Sequence, residues 1–132
     1  MERVTGIGGF FFRAKDPEAL ARWYDEQLGI DKVPPSYDVR PWWQEAGPTV
    51  WSPYSEVGEY FGGGDYDWIL NFGVRDLDAM VDQLRAAGID VEVDPETYPN
   101  GRFAKLDDPE GNLIQLWEPT PAELERTSDT QG

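Results

Sequence analysis

The chain has 132 residues, of which 39% are hydrophobic and 14% aromatic. This composition supplies enough apolar surface to fold one domain, and the length is too short for a second hydrophobic core. Asp and Glu outnumber Lys and Arg by 26 to 11, and the resulting net charge of −15 argues against nucleic-acid or anionic-membrane partners. Cys and His are absent, which excludes disulfides, thiolate or imidazole ligands and nucleophilic systems built on either residue.

The acidic surface has two interpretations. It favours a cationic or neutral small-molecule partner, or it serves only solubility or a high-salt environment. The N-terminus has no basic segment followed by a long apolar run, and no stretch has the apolar length of a membrane span. We therefore expect a cytoplasmic protein without a membrane partner.

The first predicted elements are a strand and a helix. Residues 4–13 are rich in β-branched and aromatic side chains, which predicts the strand. Asp16 followed by Pro17 predicts a helix start, and Gly29 predicts its end. Between them, the apolar residues at helical spacing are Leu20, Trp23, Tyr24 and Leu28.

The middle of the chain predicts two short strands and a connector. The strands are expected at residues 42–45 and 49–52, separated by a Gly-Pro turn. Residues 54–67 contain a triple glycine and predict a flexible connector between two halves.

The opening pattern then returns. Residues 68–74 predict a strand, Asp76 a second helix cap and Gly88 the end of that helix. Each helix-ending glycine is followed by Ile, and the two helices have nearly equal lengths. These features indicate an internal repeat of about 60 residues.

Three more strands are expected in the second half, at residues 91–93, 102–106 and 113–117, with a turn at 107–112. Each half therefore predicts a strand, a helix and three strands. The halves are expected at about residues 3–61 and 67–119 of one domain, residues 1–120, followed by a frayed polar tail at 121–132.

Two motifs resemble the glyoxalase/bleomycin-resistance/extradiol-dioxygenase superfamily, also called the vicinal-oxygen-chelate superfamily. They are KDPEALARWY at residues 15–24 and DPEGNLIQLW at residues 108–117. The resemblance covers about residues 3–119. It implies an α+β fold of two tandem βαβββ modules whose curled mixed sheets form a cleft, and a homodimer with sites between facing modules.

The same resemblance allows the metal positions to be compared. Metal-using members carry His, Gln or Glu on the first strand of each module and a carboxylate on each last strand. The matching residues here are Gly9, Ile69, Gln115 and Trp51. One neutral amide oxygen is a poor ligand set for a divalent ion, so we expect no metal or other cofactor, and metal-dependent glyoxalase I or dioxygenase activity is disfavoured.

The resemblance also implies an aromatic cleft that binds a small organic molecule by stacking, cation–π contacts and amide hydrogen bonds. The alternative is that its aromatic residues simply fill the core. The expected lining residues are Phe11, Trp43, Trp51, Ile69, Asn71, Gln115 and Trp117.

Three functional hypotheses remain open. The first is a metal-independent small-molecule-binding protein similar to bleomycin-resistance proteins. The second is a lyase or isomerase that acts on a small carbonyl substrate with Glu45 or Glu118 as general base, although both carboxylates can also be read as solvated surface charges. The third is a dimeric scaffold with a vestigial pocket.

Two further pairs of charged residues in the second half each have two interpretations. Arg102 and Lys105 lie on one predicted strand, where either could hold an anionic substrate group or simply face solvent. Asp107 and Asp108 precede Pro109, so local capping of the turn explains them better than catalysis.

Overall fold

A computed structural model describes residues 1–57 and 66–125 of the chain. The described residues have an α+β fold, as predicted. In chain order, the elements are helix α1 (Pro17–Leu28), strand β1 (Leu70–Gly73), helix α2 (Leu77–Ala86), strand β2 (Glu92–Val93), strand β3 (Gly101–Asp107), strand β4 (Leu113–Pro119) and helix α3 (Pro121–Glu125).

The four strands form one curled, open sheet in the order β1-β4-β3-β2. Strand β1 runs parallel to β4, whereas the β4–β3 and β3–β2 pairs are antiparallel. A parallel pair needs a crossover connection, and the chain from β1 through α2 to β3 provides it. The strand–helix–three-strand order predicted for the second half is thus confirmed.

Both predicted helix starts and ends are confirmed. Asp16 and Asp76 each accept a hydrogen bond from the backbone N–H three residues further on, at 3.1 and 3.0 Å. At the other ends, Gly29 and Gly88 adopt left-handed φ angles of 73° and 83°, which residues with a Cβ rarely adopt. The repeated Asp-to-Gly spacing therefore has a local physical cause.

The hydrophobic core lies between the helices and one face of the sheet. Its largest fully buried side chains are Leu77 and Leu84 from α2 and Ile114 and Leu116 from β4. Burying a side chain of this size stabilises the fold by about 1.5–3 kcal/mol. Helix α1 adds Leu20 and Tyr24 to the same cluster, together with Val81, Val91, Ala104 and Leu106 from the second half.

The strands predicted at residues 4–13, 42–45 and 49–52 are wrong: residues 1–57 contain α1 and no β-strand. β-Propensity reflects packing on a pleated, half-buried surface and needs a neighbouring strand. Phe11 and Trp51, each within a predicted strand, are instead 95% and 84% exposed. A segment rich in β-branched and aromatic residues does not form strand hydrogen bonds when it has no partner strand.

Two other expectations concern the linker and the tail. The predicted connector at 54–67 falls largely on residues 58–65, which lie outside the described residues. The predicted frayed tail instead begins with helix α3, in which the N–H of Leu124 bonds to the carbonyl oxygen of Thr120 at 3.1 Å.

Candidate functional site

The two faces of the sheet differ in their surroundings. Ile114 and Leu116 of β4 point into the helix-covered core, so Gln115 and Trp117 between them belong to the other side. We call this side the open face. The side chains that the strands and the residue before β1 direct to it are Ile69, Asn71, Glu92, Phe103, Lys105, Asp107, Leu113, Gln115 and Trp117.

An amide pair occupies the centre of the open face. Asn71 of β1 lies opposite Gln115 of β4, and its Nδ2 donates a hydrogen bond to Gln115 Oε1 at 2.7 Å. On the other side of Gln115, Lys105 of β3 is its register partner. Asn71, Gln115 and Lys105 therefore form a polar row across three strands, and both Asn71 and Lys105 are exposed.

An aromatic stack flanks this row. The rings of Phe103 and Trp117 lie 6.2 Å apart between centroids with 3° between their planes. Trp117 is only 4% exposed, and its Nε1 donates to the carbonyl oxygen of Asn100 at 2.9 Å. The predicted ligand residue Trp117 thus supports the open face from within, while half-buried Phe103 presents the accessible ring.

The sequence analysis does not predict Phe103 as a site residue, and it leaves the role of Lys105 open. Arg102 and Lys105 lie three residues apart on β3, so their side chains point to opposite faces of the sheet. Arg102 forms a salt bridge to Asp78 of α2 at 3.0 Å, on the helix side. The alternation of side chains between the two faces of β3 is the sequence signal that distinguishes these two residues.

The structure does not bring the three aromatic residues of the first half into this site. Phe11, Trp43 and Trp51 lie in the irregular part of residues 1–57, with side chains 95%, 70% and 84% exposed. Trp43 instead stacks under the guanidinium of Arg40, whose Cζ is 4.7 Å from the ring centroid. These three side chains therefore face mainly solvent.

The two candidate general bases are both engaged elsewhere. Glu118 Oε1 accepts a hydrogen bond from the backbone N–H of Leu77 at 2.7 Å, so this carboxylate satisfies the N-terminus of α2 on the helix side. Glu45 pairs with Arg75 at the surface, where the two side chains are 74% and 85% exposed. Neither carboxylate lies on the open face.

The residues at the family's metal positions do not fit a divalent ion. Gly9 has no side-chain donor, Ile69 is aliphatic, and Gln115 Oε1 already accepts from Asn71. Divalent ions need several carboxylate, imidazole or thiolate ligands. Within residues 1–57 and 66–125, no group of three Asp or Glu side chains could hold a metal ion.

The turn between β3 and β4 connects α1 to the sheet. Asp108 caps this turn by accepting the N–H groups of Glu110 and Asn112, as predicted, and it also accepts the Tyr24 hydroxyl at 2.7 Å. Burial first, and then the hydrogen bond to Asp108, raise the pKa of Tyr24 above its usual range.

The same turn also holds the start of α1. The Glu110 carboxylate accepts the backbone N–H groups of Lys15 and Asp16 at 2.7 and 3.0 Å. The two motifs that carry the family resemblance therefore bind each other, and their role here is to position α1.

Comparison with known proteins identifies the family. The profile of the family described as "Glyoxalase-like domain" matches residues 9–117, so the chain belongs to this family and the predicted superfamily is confirmed. Among the described residues, no helix has the length and apolar character of a membrane span.

Curated relatives match over a short segment. "Putative glyoxylase CFP32" of Mycobacterium bovis and of Mycobacterium tuberculosis is 40% identical over 55 residues. The matched segment is 41% of this chain and 21% of the relative, so the chain spans about a fifth of the length of these relatives.

Two solved structures share the fold. TnmS3, an antibiotic binding protein from Streptomyces sp. CB03234, has a TM-score of 0.61 and 24% identity, with 91% of this chain and 100% of that chain covered. A glyoxalase/bleomycin resistance protein from the same organism has a TM-score of 0.51 and 25% identity, with 79% and 92% covered.

Proposed function

We propose that this member of the glyoxalase-like domain family is a metal-independent binding protein for a small planar organic molecule held on the open face. The observation that carries the proposal is the Asn71–Gln115 amide pair beside the ring of Phe103, in which Asn71 is exposed and Gln115 is half-buried. A few placed polar groups within an apolar surface are typical of small-molecule sites, because the amides orient the ligand while the ring supplies contact area.

The family comparison supports binding of this kind. TnmS3 is an antibiotic binding protein, and its fold extends over 91% of this chain. A shared fold does not specify a ligand, so the proposal depends on the side chains of the open face and not on the likeness alone.

The geometry favours binding over the rival lyase or isomerase. A general base must reach the proton that it removes, within about 2.6–3.2 Å or through one water. Glu118 is held at the N-terminus of α2 and Glu45 is a surface ion-pair partner, so the open face has neither candidate carboxylate. Between them, the side chains of Gly9, Ile69 and Gln115 offer one neutral amide oxygen, which favours metal independence.

We further propose that the protein acts as a cytoplasmic homodimer. The exposed aromatic side chains Phe11, Trp43 and Trp51 would then complete the ligand cleft at the contact between two copies. Large exposed apolar surface in a folded protein commonly marks such a contact. Sedimentation equilibrium should give twice the mass of the 15.0 kDa chain, and a monomer at micromolar concentration would contradict the dimer.

The binding proposal is tested with planar aromatic probes of positive, neutral and negative charge, measured by thermal shift with EDTA and with added zinc or nickel. A ligand at about 100 times its Kd stabilises the native state by about 2.7 kcal/mol, so binders raise Tm. We expect at least one probe to bind in EDTA. Gln115→Leu should weaken that probe about tenfold by removing an orienting amide, whereas Gln83→Leu, an exposed amide change on α2, should not.

Three results would contradict the proposal. Stabilisation by zinc or nickel alone, lost in EDTA, would indicate a metal site that the side chains at the expected positions do not explain. Turnover of a small carbonyl compound that Glu45→Gln or Glu118→Gln abolishes would favour the enzyme. If no probe shifts Tm under any condition, the dimeric scaffold becomes the better hypothesis.

A further inference from the structure

We propose that Lys105 determines ligand specificity on the open face by donating a hydrogen bond to the carbonyl oxygen of a neutral planar aromatic ligand. The inference rests on the proposed function and names the chemical class of the ligand. It depends on where β3 places Lys105, on the charges around its ammonium group and on the space beside it.

Position comes first. Lys105 is the register partner of Gln115, which is the register partner of Asn71. Cβ atoms of directly opposed residues on adjacent strands lie about 4.5–5.5 Å apart. The ammonium group thus extends a row that already contains two amides, and a ligand oriented by those amides lies within reach of the flexible lysine side chain.

Lys105 is also the one cation that the four strands direct to this face, in the part of the chain that the structure describes. The neighbouring cation, Arg102, lies on the helix side and is paired with Asp78. Lys105 is exposed and has no salt bridge within residues 1–57 and 66–125. Its three N–H donors are therefore available to an acceptor on the ligand.

The surrounding charges decide which acceptor is favoured. Glu92 of β2 lies directly opposite Lys105, Asp107 follows two residues later on the same face, and Asp94 after β2 also interacts electrostatically with Lys105. Three carboxylates around one ammonium leave this part of the face negative, and the whole chain carries −15. A ligand carboxylate would be repelled, whereas a neutral carbonyl oxygen accepts the Lys105 hydrogen bond without that repulsion.

The surface beside Lys105 has room for such a ligand. A depression of about 640 Å³ lies at the edge of β3, lined by Lys105, Asp107 and Leu113 and, between the end of α2 and β2, by Arg85 and residues 88–92. Small-molecule sites commonly have volumes of about 300–1,000 Å³. Phe103 lies outside this lining, two residues before Lys105 and about 6.6 Å along the strand, so a planar molecule bound at Lys105 stacks on the ring by extending out of the depression along β3.

The test compares two probes of the same shape, 2-acetonaphthone and 2-ethylnaphthalene, which differ in the carbonyl oxygen. Kd is measured from the chemical-shift changes of backbone and side-chain amides in wild type, Lys105→Met, Lys105→Arg and Lys15→Met. We expect the ketone to bind wild type about tenfold more tightly than the hydrocarbon, because the carbonyl oxygen gains a charged hydrogen bond. Lys105→Met should abolish that difference, Lys105→Arg should keep most of it, and Lys15→Met should leave it unchanged.

The outcomes separate this inference from the proposed function. Equal binding of the two probes by wild type, with no effect of Lys105→Met, would overturn the role of Lys105 and leave the binding face intact. Equal losses of ketone and hydrocarbon in Lys105→Met would overturn it too, because the lysine would then act only by packing. Binding of neither probe at its solubility limit would overturn the inference together with the planar-ligand proposal.

Discussion

The two halves of the chain share the same local signals and differ in what those signals produce. In residues 66–125, an Asp-capped helix packs on a four-stranded sheet and leucine and isoleucine side chains become fully buried. In residues 1–57, an Asp-capped helix forms, but the flanking segments form no strand and their aromatic residues remain exposed. Capping depends on residues three apart, whereas a strand needs a partner elsewhere in the chain.

The comparison also shows how the first helix is held. Helix α1 joins the second half through Leu20 and Tyr24 in the core and through the carboxylates of Asp108 and Glu110. The stability of α1 should therefore depend on the β3–β4 turn more than on its neighbours in sequence. If this is correct, substitutions in the core and at the β3–β4 turn should cost more stability than substitutions in the exposed segments of residues 1–57.

The largest difference is expected between core and exposed apolar residues. Leu116→Ala should lower the free energy of unfolding by about 2–5 kcal/mol, because it removes buried methyl groups and leaves a cavity. Val33→Ala, at a side chain 86% exposed, should change it by about 0.5 kcal/mol or less. Urea unfolding at one protein concentration measures both, and a Val33→Ala cost near that of Leu116→Ala would show that the first half is packed in solution.

The next effect is expected at the buried hydrogen bond between the halves. Tyr24→Phe should cost about 1.5 kcal/mol, because it removes the hydroxyl donor from buried Asp108 while keeping the ring. Tyr66→Phe, which removes a longer 3.3 Å bond to exposed Asp107, is the matched control and should cost less. Equal costs would mean that the Asp108 contact does not secure α1.

The same tyrosine predicts a loss of stability at alkaline pH. Its pKa is raised in the folded state, so its contribution is complete below the unfolded value of about 10 and declines as pH rises above it. Tyrosinate absorbance should show Tyr24 ionising late, together with Tyr98, whose hydrogen bond to Asp94 raises its pKa to about 12. Tyr24→Phe should reduce the alkaline loss of stability, and an unchanged pH profile would contradict the assignment.

A smaller effect is expected at the carboxylate that holds the start of α1. Glu110→Gln replaces two anionic acceptor oxygens by one neutral oxygen, so the N–H groups of Lys15 and Asp16 lose one partner. We expect a cost of about 1 kcal/mol and faster hydrogen exchange at those two amides. Glu26→Gln, an exposed change on α1, should alter neither. Exchange that stays slow in Glu110→Gln would place the anchor of α1 in the core alone.

The smallest effect is expected at the surface ion pair between Glu45 and Arg75. Both side chains are more than 70% exposed, and pairs of this kind contribute about 0–1 kcal/mol that salt screens further. Arg75→Met should therefore change the free energy of unfolding by about 0.5 kcal/mol or less. A larger loss would show that residues around Glu45 are fixed against α2 and would weaken the contrast between the halves.

Local chemistry is what the sequence determined on its own. Asp16, Asp76, Gly29 and Gly88 act within one helical turn, so their roles could be predicted from spacing. The superfamily was predicted from the two motifs, and the family match over residues 9–117 confirms it. The second motif also predicted that Gln115 lies on the last strand, β4. The absence of His and Cys excluded whole classes of sites before any fold was known.

Only the tertiary structure decided which of these residues meet. It separated Lys105 from Arg102 by strand alternation, assigned Glu118 to the N-terminus of α2 and buried Trp117 behind Phe103. It also left the predicted first-half strands unformed. The physical reason is common to all: a side chain's partner is set by strand register and by contacts distant in sequence, which local composition does not contain.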